Sequence, residues 1–145
     1  MTVDHDTSIG LELPADTYCL RAIGPWSRGV LDLVADLDVD AMAPTLELAL
    51  QEVCTNIVWH AYRSQSKGRI ALVLTPFGAD IRCEIRDTGV CFDPTGVDVP
   101  HPDRPQVGGY GLMLVERLTT DLRYRRQDNV NIWNLTFARQ AQVAR

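Results

Sequence analysis

The sequence predicts an α+β fold, a two-layer sandwich in which a mostly antiparallel sheet is covered on one face by helices. Three observations carry this prediction. Two pairs of strand-like runs, each joined by a short connection, occur in the second half of the chain. A long segment before them carries apolar residues at helical spacing. The resulting order, β-α-α-β-β-loop-α-β-β, favours an antiparallel sheet with the helices segregated to one side.

Each element has a local reason. Ser8–Leu13 alternates Ile9, Leu11 and Leu13 and stops at Pro14, which suits a short first strand. Asp16 or Thr17 is placed to cap a helix over Tyr18–Asp36, with Gly24-Pro25 a break or kink inside it. Asp40–Pro44 reads as a connection, and Pro44 suits the first turn of a second helix running to about Arg63. Leu46, Ala49, Leu50, Val53, Ile57 and Ala61 form that helix's core face. Arg69–Thr75 and Asp80–Arg86 read as a hairpin across Pro76–Ala79. Asp87–Val107 is a long loop with four prolines and no periodicity, a length that suits a lid over a ligand. Gly111–Thr120 reads as a helix, followed by strands Leu122–Arg126 and Asn131–Phe137.

Composition bounds the function. The 145 residues make one domain, with a core from about 14 to 137 and a lid from about 93 to 107. Hydrophobic residues at 46% and charged residues at 23% exclude a disordered, collagen-like or disulfide-scaffold chain. Fourteen Lys and Arg against nineteen Asp and Glu give a net charge of −5, so direct binding to nucleic acid is not expected. Arg123, Arg125 and Arg126 read as a solvated strand edge. Residues 1–10 lack the apolar stretch of a secretory signal, and no run approaches the ~20 apolar residues of a membrane span. The expectation is a cytoplasmic protein without a membrane partner. Cys19, Cys54, Cys83 and Cys91 form no C-x-x-C pair and are expected to be buried reduced thiols, not zinc ligands.

Three segments carry more polar and glycine content than a core needs. In the first, Glu52, Asn56 and His60 recur every four residues, a stripe along one helix flank. Asn is a mediocre helix-interior residue, and an amide oxygen held there suits a hard cation such as Mg²⁺. In the second, Asp87-Thr88-Gly89 follows a strand. Asp87 is placed to accept a hydrogen bond from an exocyclic amine, and Gly89 to admit a flat ring close to the backbone. In the third, Gly108, Gly109 and Gly111 precede a helix, leaving free N–H groups for an anion.

Taken in order, E-x-x-x-N-x-x-x-H-A-Y, D-x-G-x-x-F-D-P and G-G-x-G-L resemble the N, G1 and G2 boxes of the GHKL ATPase superfamily, with its histidine-kinase-like ATPase fold. The N-box form looks most like the anti-sigma-factor serine/threonine kinases. That resemblance implies ATP and Mg²⁺ as cofactors, with Asn56 as the protein ligand to Mg²⁺ and Glu52 as general base on a serine hydroxyl. It implies that Asp87 accepts from the adenine amino group, and that Gly89 and Phe92 belong to the nucleotide pocket. Gly108, Gly109, Gly111 and Leu112 would wrap the phosphates, and His60 and Tyr62 would flank the nucleotide or pack beneath it. The implied partners are a sigma factor and a STAS-domain anti-sigma-factor antagonist whose serine is phosphorylated; a homodimer is a further implied state.

The chain departs from this pattern at three places. Cys91 stands where many such proteins have a second G1 glycine, Arg104 is the only cation of the Val97–Val107 segment, and Val130-Asn131 replaces a glycine-threonine pair. No residue of that last strand is therefore assigned to the site. The alternative function is a non-catalytic module that sequesters a regulator, with or without nucleotide. A detached histidine-kinase catalytic domain ranks lower, because no helix with a phosphoacceptor histidine precedes the N-box.

Overall fold

The computed structural model describes residues 7–63, 68–92 and 110–140. Strands β1 (Ile9–Pro14), β2 (Arg69–Phe77), β3 (Asp80–Asp87), β4 (Asp121–Gln127) and β5 (Val130–Ala138) form one antiparallel sheet in the order β1-β2-β3-β5-β4. Alternate residues of each strand point to the same face. Leu72, Ile85, Trp133 and Tyr124 thus line up across four strands, and Ile70, Asp87, Asn131 and Arg126 make a neighbouring row. Helices α1 (Ile23–Leu31), α2 (Val39–Asn56) and α3 (Tyr110–Leu118) supply the second layer, with α2 packed between α1 and α3. The predicted two-layer α+β sandwich is the observed one.

The core lies between α2 and the sheet. Leu46, Leu50 and Val53 of α2 and Ile70, Leu72 and Ile85 of the sheet are wholly buried. Each such side chain contributes about 1.5–3 kcal/mol relative to leaving it exposed. Both hairpins close through two residues. Gly78 takes a positive φ of 56° in the first, and Asp128 and Asn129 take φ of 52° and 64° in the second, as a type I′ turn requires.

Helix boundaries differ from those the sequence predicts. Instead of one helix over Tyr18–Asp36, a 3-10 turn at Cys19–Ala22 leads into α1. The Asp16 carboxylate accepts the Tyr18 N–H at 2.8 Å and starts that turn. Gly24-Pro25 is no break, because Pro25 lies in the first turn of α1, where its missing N–H costs no bond. Nor is Asp40–Pro44 a connection. Asp38 caps α2 by accepting the Ala41 N–H at 3.1 Å, so the helix starts before Pro44 and carries it on an exposed flank. The first hairpin is tighter than expected, since β2 continues through Pro76 to Phe77. β1 pairs no further than Leu74, so Pro76 needs no N–H on that side.

Candidate nucleotide site

The α-helical winding of α2 ends at Asn56, and Ile57–Ala61 forms a π turn in which the Tyr62 N–H reaches back five residues to the Ile57 carbonyl at 3.1 Å. Such wide turns recur at functional sites. The extra residue corrects the predicted stripe. Glu52 and Asn56 share an α-helical flank, but His60 lies on the wide turn, out of line with them and partly exposed.

The wide turn brings the first polar segment against the second. The Ala61 carbonyl accepts the Val90 N–H at 2.8 Å. The Tyr62 hydroxyl donates to the Arg69 carbonyl at 2.8 Å and accepts the Thr88 N–H at 2.9 Å. A Cβ on Gly89 would lie 2.5 Å from the Ala61 oxygen. The close approach that requires glycine at 89 is therefore made by backbone of the π turn rather than by a flat ring. In the third segment, a Cβ on Gly111 would lie 2.6 Å from Glu52 Oε2, so glycine lets α3 start against the Glu52 side chain. Leu112, next along α3, packs on the core. Gly108, Gly109, Arg104 and the predicted lid at 93–107 lie outside the described residues.

Two buried polar side chains define the site. Asn56 is 4% exposed, and neither its Oδ1 nor its Nδ2 has a partner among the described residues. Asp87 is 3% exposed; its Oδ1 accepts the Gly89 N–H at 2.9 Å and the Asn131 Nδ2 at 2.8 Å, while Oδ2 is buried without a partner. Burial pushes the Asp87 carboxyl above its usual range, against the opposing pull of Asn131, the Gly89 N–H and the Arg126 charge. Three of the four buried side-chain atoms left without a partner among the described residues thus belong to Asn56 and Asp87, the other being Trp26 Nε1. Buried polar atoms are normally satisfied, so this concentration marks a ligand site. An unengaged amide oxygen at Asn56 and an unengaged carboxylate oxygen at Asp87 fit a hard cation and an exocyclic amine respectively. Among the described residues no group of three or more His, Cys, Asp or Glu could hold a metal, so Mg²⁺ would owe most of its coordination to phosphate and water.

Other expected residues have defined neighbours. Phe92 stacks edge-on to Tyr124 and Trp133 at centroid distances of 5.5 and 5.1 Å, and its N–H donates to the Tyr124 hydroxyl at 3.0 Å. It belongs to an aromatic cluster packed on the sheet. Cys54 and Cys83 are buried free thiols with pKa pushed well up by burial. Cys91 is exposed and Cys19 only partly buried, which corrects the expectation for those two. Cys91 ends in a loop outside the sheet, its thiol 3.4 Å from the Tyr124 hydroxyl. Arg126 is not part of a plain solvated edge. Its guanidinium donates to Asn131 Oδ1 at 2.7 Å and to the Gly89 carbonyl at 3.0 Å.

Asn131 is the residue sequence reasoning missed. It is 1% exposed and faces Asp87 at a paired position of β3 and β5. The signal was available: Asn131 holds the inward register shared by Trp133, Leu135 and Phe137, where a polar side chain needs a reason.

A family model for the histidine kinase-like ATPase domain matches residues 15–137. Among curated relatives, the serine-protein kinase RsbW of Bacillus thuringiensis (strain Al Hakam) is 28% identical over 146 residues, covering 93% of this chain and 88% of its own. RsbW of Bacillus cereus (strain AH187) is 28% identical over 107 residues, covering 68% and 66%. Among solved structures, the RsbU and RsbW domains of Rv1364c from Mycobacterium tuberculosis match with a TM-score of 0.67 at 20% identity. That match covers 93% of this chain, which spans about a third of the other, 32%. The blue-light activated histidine kinase of Erythrobacter litoralis EL346 matches with a TM-score of 0.56 at 20% identity, covering 87% and 42%. These structural likenesses concern the fold.

Proposed function

From the premise that the chain belongs to the histidine kinase-like ATPase family, we propose that it is an ATP-dependent protein serine kinase that phosphorylates a STAS-domain anti-sigma-factor antagonist and sequesters a sigma factor. One observation carries the reading. Asn56 and Asp87, on separate family motifs, hold buried polar atoms that nothing among the described residues satisfies. ATP with Mg²⁺ has complementary groups for both.

In this reading Asp87 Oδ2 would accept the adenine amino group, and Asn56 Oδ1 would be the protein ligand to Mg²⁺. Bound Mg²⁺ would neutralise charge on the transferring phosphoryl group. Glu52 lies one helical turn before Asn56, with its carboxylate against Gly111 at the start of α3. Its task is to take the proton from the incoming serine hydroxyl. The serine oxygen forms the new P–O bond as the bond between the γ-phosphorus and the β–γ bridging oxygen breaks, and ADP leaves. The family motifs would assign Gly108, Gly109, Gly111 and Leu112 to the phosphates, and His60, Gly89 and Phe92 to the nucleotide pocket. Among the described residues no helix is long and apolar enough to cross a membrane, and a cytoplasmic setting suits the proposed partners.

Incubating the chain with Mg·ATP and a STAS-domain antagonist tests the proposal. Phosphate should appear on an antagonist serine and be lost in Glu52→Ala. Nucleotide binding without transfer to any antagonist would instead leave a non-catalytic module that sequesters its partner.

A further inference from the structure

β4 and β5 carry a polar network that the reading of the nucleotide site does not use. Asn131 Nδ2 donates to Asp87 Oδ1 at 2.8 Å and to the Gly89 and Val90 carbonyls at 3.2 and 3.1 Å. Its Oδ1 accepts the Tyr124 hydroxyl at 2.6 Å and the Arg126 guanidinium at 2.7 Å. A guanidinium only donates, while a carbonyl or carboxylate only accepts. The amide orientation is therefore determined by its partners, because a flip would set like groups against each other on both sides.

The consequence falls on Asp87. Its Oδ1 is taken by two donors, Gly89 N–H and Asn131 Nδ2, and Oδ2 by none. A carboxylate held this way shows a ligand one acceptor oxygen instead of two. We propose that Asn131, fixed by Tyr124 and Arg126, is a positioning residue that sets base specificity: by occupying one oxygen of Asp87 it selects a base edge with a single exocyclic N–H donor over one with paired donors.

The two purines differ in this respect. Adenine presents one amine beside an acceptor ring nitrogen. Guanine presents a ring N–H and an amine side by side, whose complement is both oxygens of one carboxylate. A site with one oxygen free satisfies adenine and leaves a guanine donor unpaired, which is costly in a buried setting. Arg126, bonded to Asn131 and to the Gly89 carbonyl, adds a positive charge that favours the ionised, acceptor-only form of Asp87.

This inference rests on the proposal that Asp87 reads the base. The full chain is titrated with Mg·ATP and Mg·GTP as wild type, Asp87→Ala and Asn131→Ala. Wild type should prefer ATP, Asp87→Ala should lose ATP binding, and Asn131→Ala should lower the ATP-over-GTP preference about tenfold, the weight of one charge-assisted hydrogen bond. A merely structural role would weaken both nucleotides together and leave their ratio alone. A ratio within twofold of wild type in folded Asn131→Ala overturns the inference, as does wild type that binds both nucleotides equally. Should Asn131→Ala fail to fold, the double variant Tyr124→Phe/Arg126→Met removes the two donors that orient the amide and must lower the same ratio; an unchanged ratio there also overturns it. ATP binding that is absent in wild type, or undiminished in Asp87→Ala, removes the base-reading proposal and this inference with it. ATP binding that needs Asp87, with the ratio unchanged, removes the inference alone.

Discussion

Gly89 and Ala61 come so close that a Cβ on the glycine would sit 2.5 Å from the Ala61 carbonyl oxygen and 2.6 Å from its carbon. The contact joins the turn after β3 to the π turn after α2, and the adjacent Val90 N–H seals it with a 2.8 Å hydrogen bond. Because the obstacle is backbone on both sides, Gly89→Ala must push the two turns apart. The expected loss of stability is about 1–3 kcal/mol, read by urea unfolding, together with weaker ATP binding. Wild-type stability in the variant would contradict this packing.

Gly111 offers the contrasting case. Among the described residues a Cβ there meets only the Glu52 side chain, with Oε2 at 2.6 Å and Cδ at 3.7 Å, the far end of a flexible group. Gly111→Ala should therefore leave the melting temperature nearly unchanged while swinging the Glu52 carboxylate aside. Phosphate transfer to the antagonist should fall by 10²-fold or more, of the order expected for misplacing a catalytic group. Transfer at the wild-type rate would separate Glu52 from the chemistry.

Asn56 holds two buried polar atoms unsatisfied among the described residues, which weighs against the fold in the absence of ligand. Asn56→Leu should raise the stability of the nucleotide-free protein by about 1 kcal/mol. It should also abolish the stabilisation by Mg·ATP, which at 100 times the Kd amounts to about 2.7 kcal/mol in wild type. Thermal melts with and without Mg·ATP read both effects. A variant that is still stabilised by Mg·ATP would exclude Asn56 as a contact.

Asp87 gives a pH signature. Burial raises its pKa above the ordinary 3.8, so the folded protein holds this proton more tightly than the unfolded chain. The carboxyl costs the fold nothing below that ordinary value, and destabilises it increasingly as pH rises through the raised one. Asp87→Asn keeps an oxygen for the Gly89 and Asn131 donors and carries no charge to bury. Its melting temperature minus that of wild type should be near zero in acid and grow positive toward neutrality. A difference that shrinks as pH rises would reverse the assigned cause.

Much of the fold was legible because its elements follow local rules. Ile81, Cys83 and Ile85 alternate along β3 and all face the core, and Leu46, Leu50 and Val53 hold the helical spacing that seats α2 on the sheet. Asp87 continues the same alternation and faces inward at the end of that row. Helix ends were less legible. Pro25 and Pro44 both read as punctuation, yet each is tolerated where it lies, and the actual limits follow from cap bonds made by Asp16 and Asp38.

By itself the sequence determined the layer architecture, the three polar segments and the residue types a nucleotide needs, because periodicity and short motifs act over a few residues. Only the tertiary structure decided how those segments meet. The π turn that removes His60 from the Glu52 and Asn56 flank, the Ala61 carbonyl against Gly89, and Glu52 against Gly111 all depend on neighbours distant along the chain. Asn131 is the clearest instance. It lies 44 positions from Asp87, and only the β3–β5 register turns an asparagine given no role in the site into the group that holds one oxygen of that carboxylate and leaves the other bare.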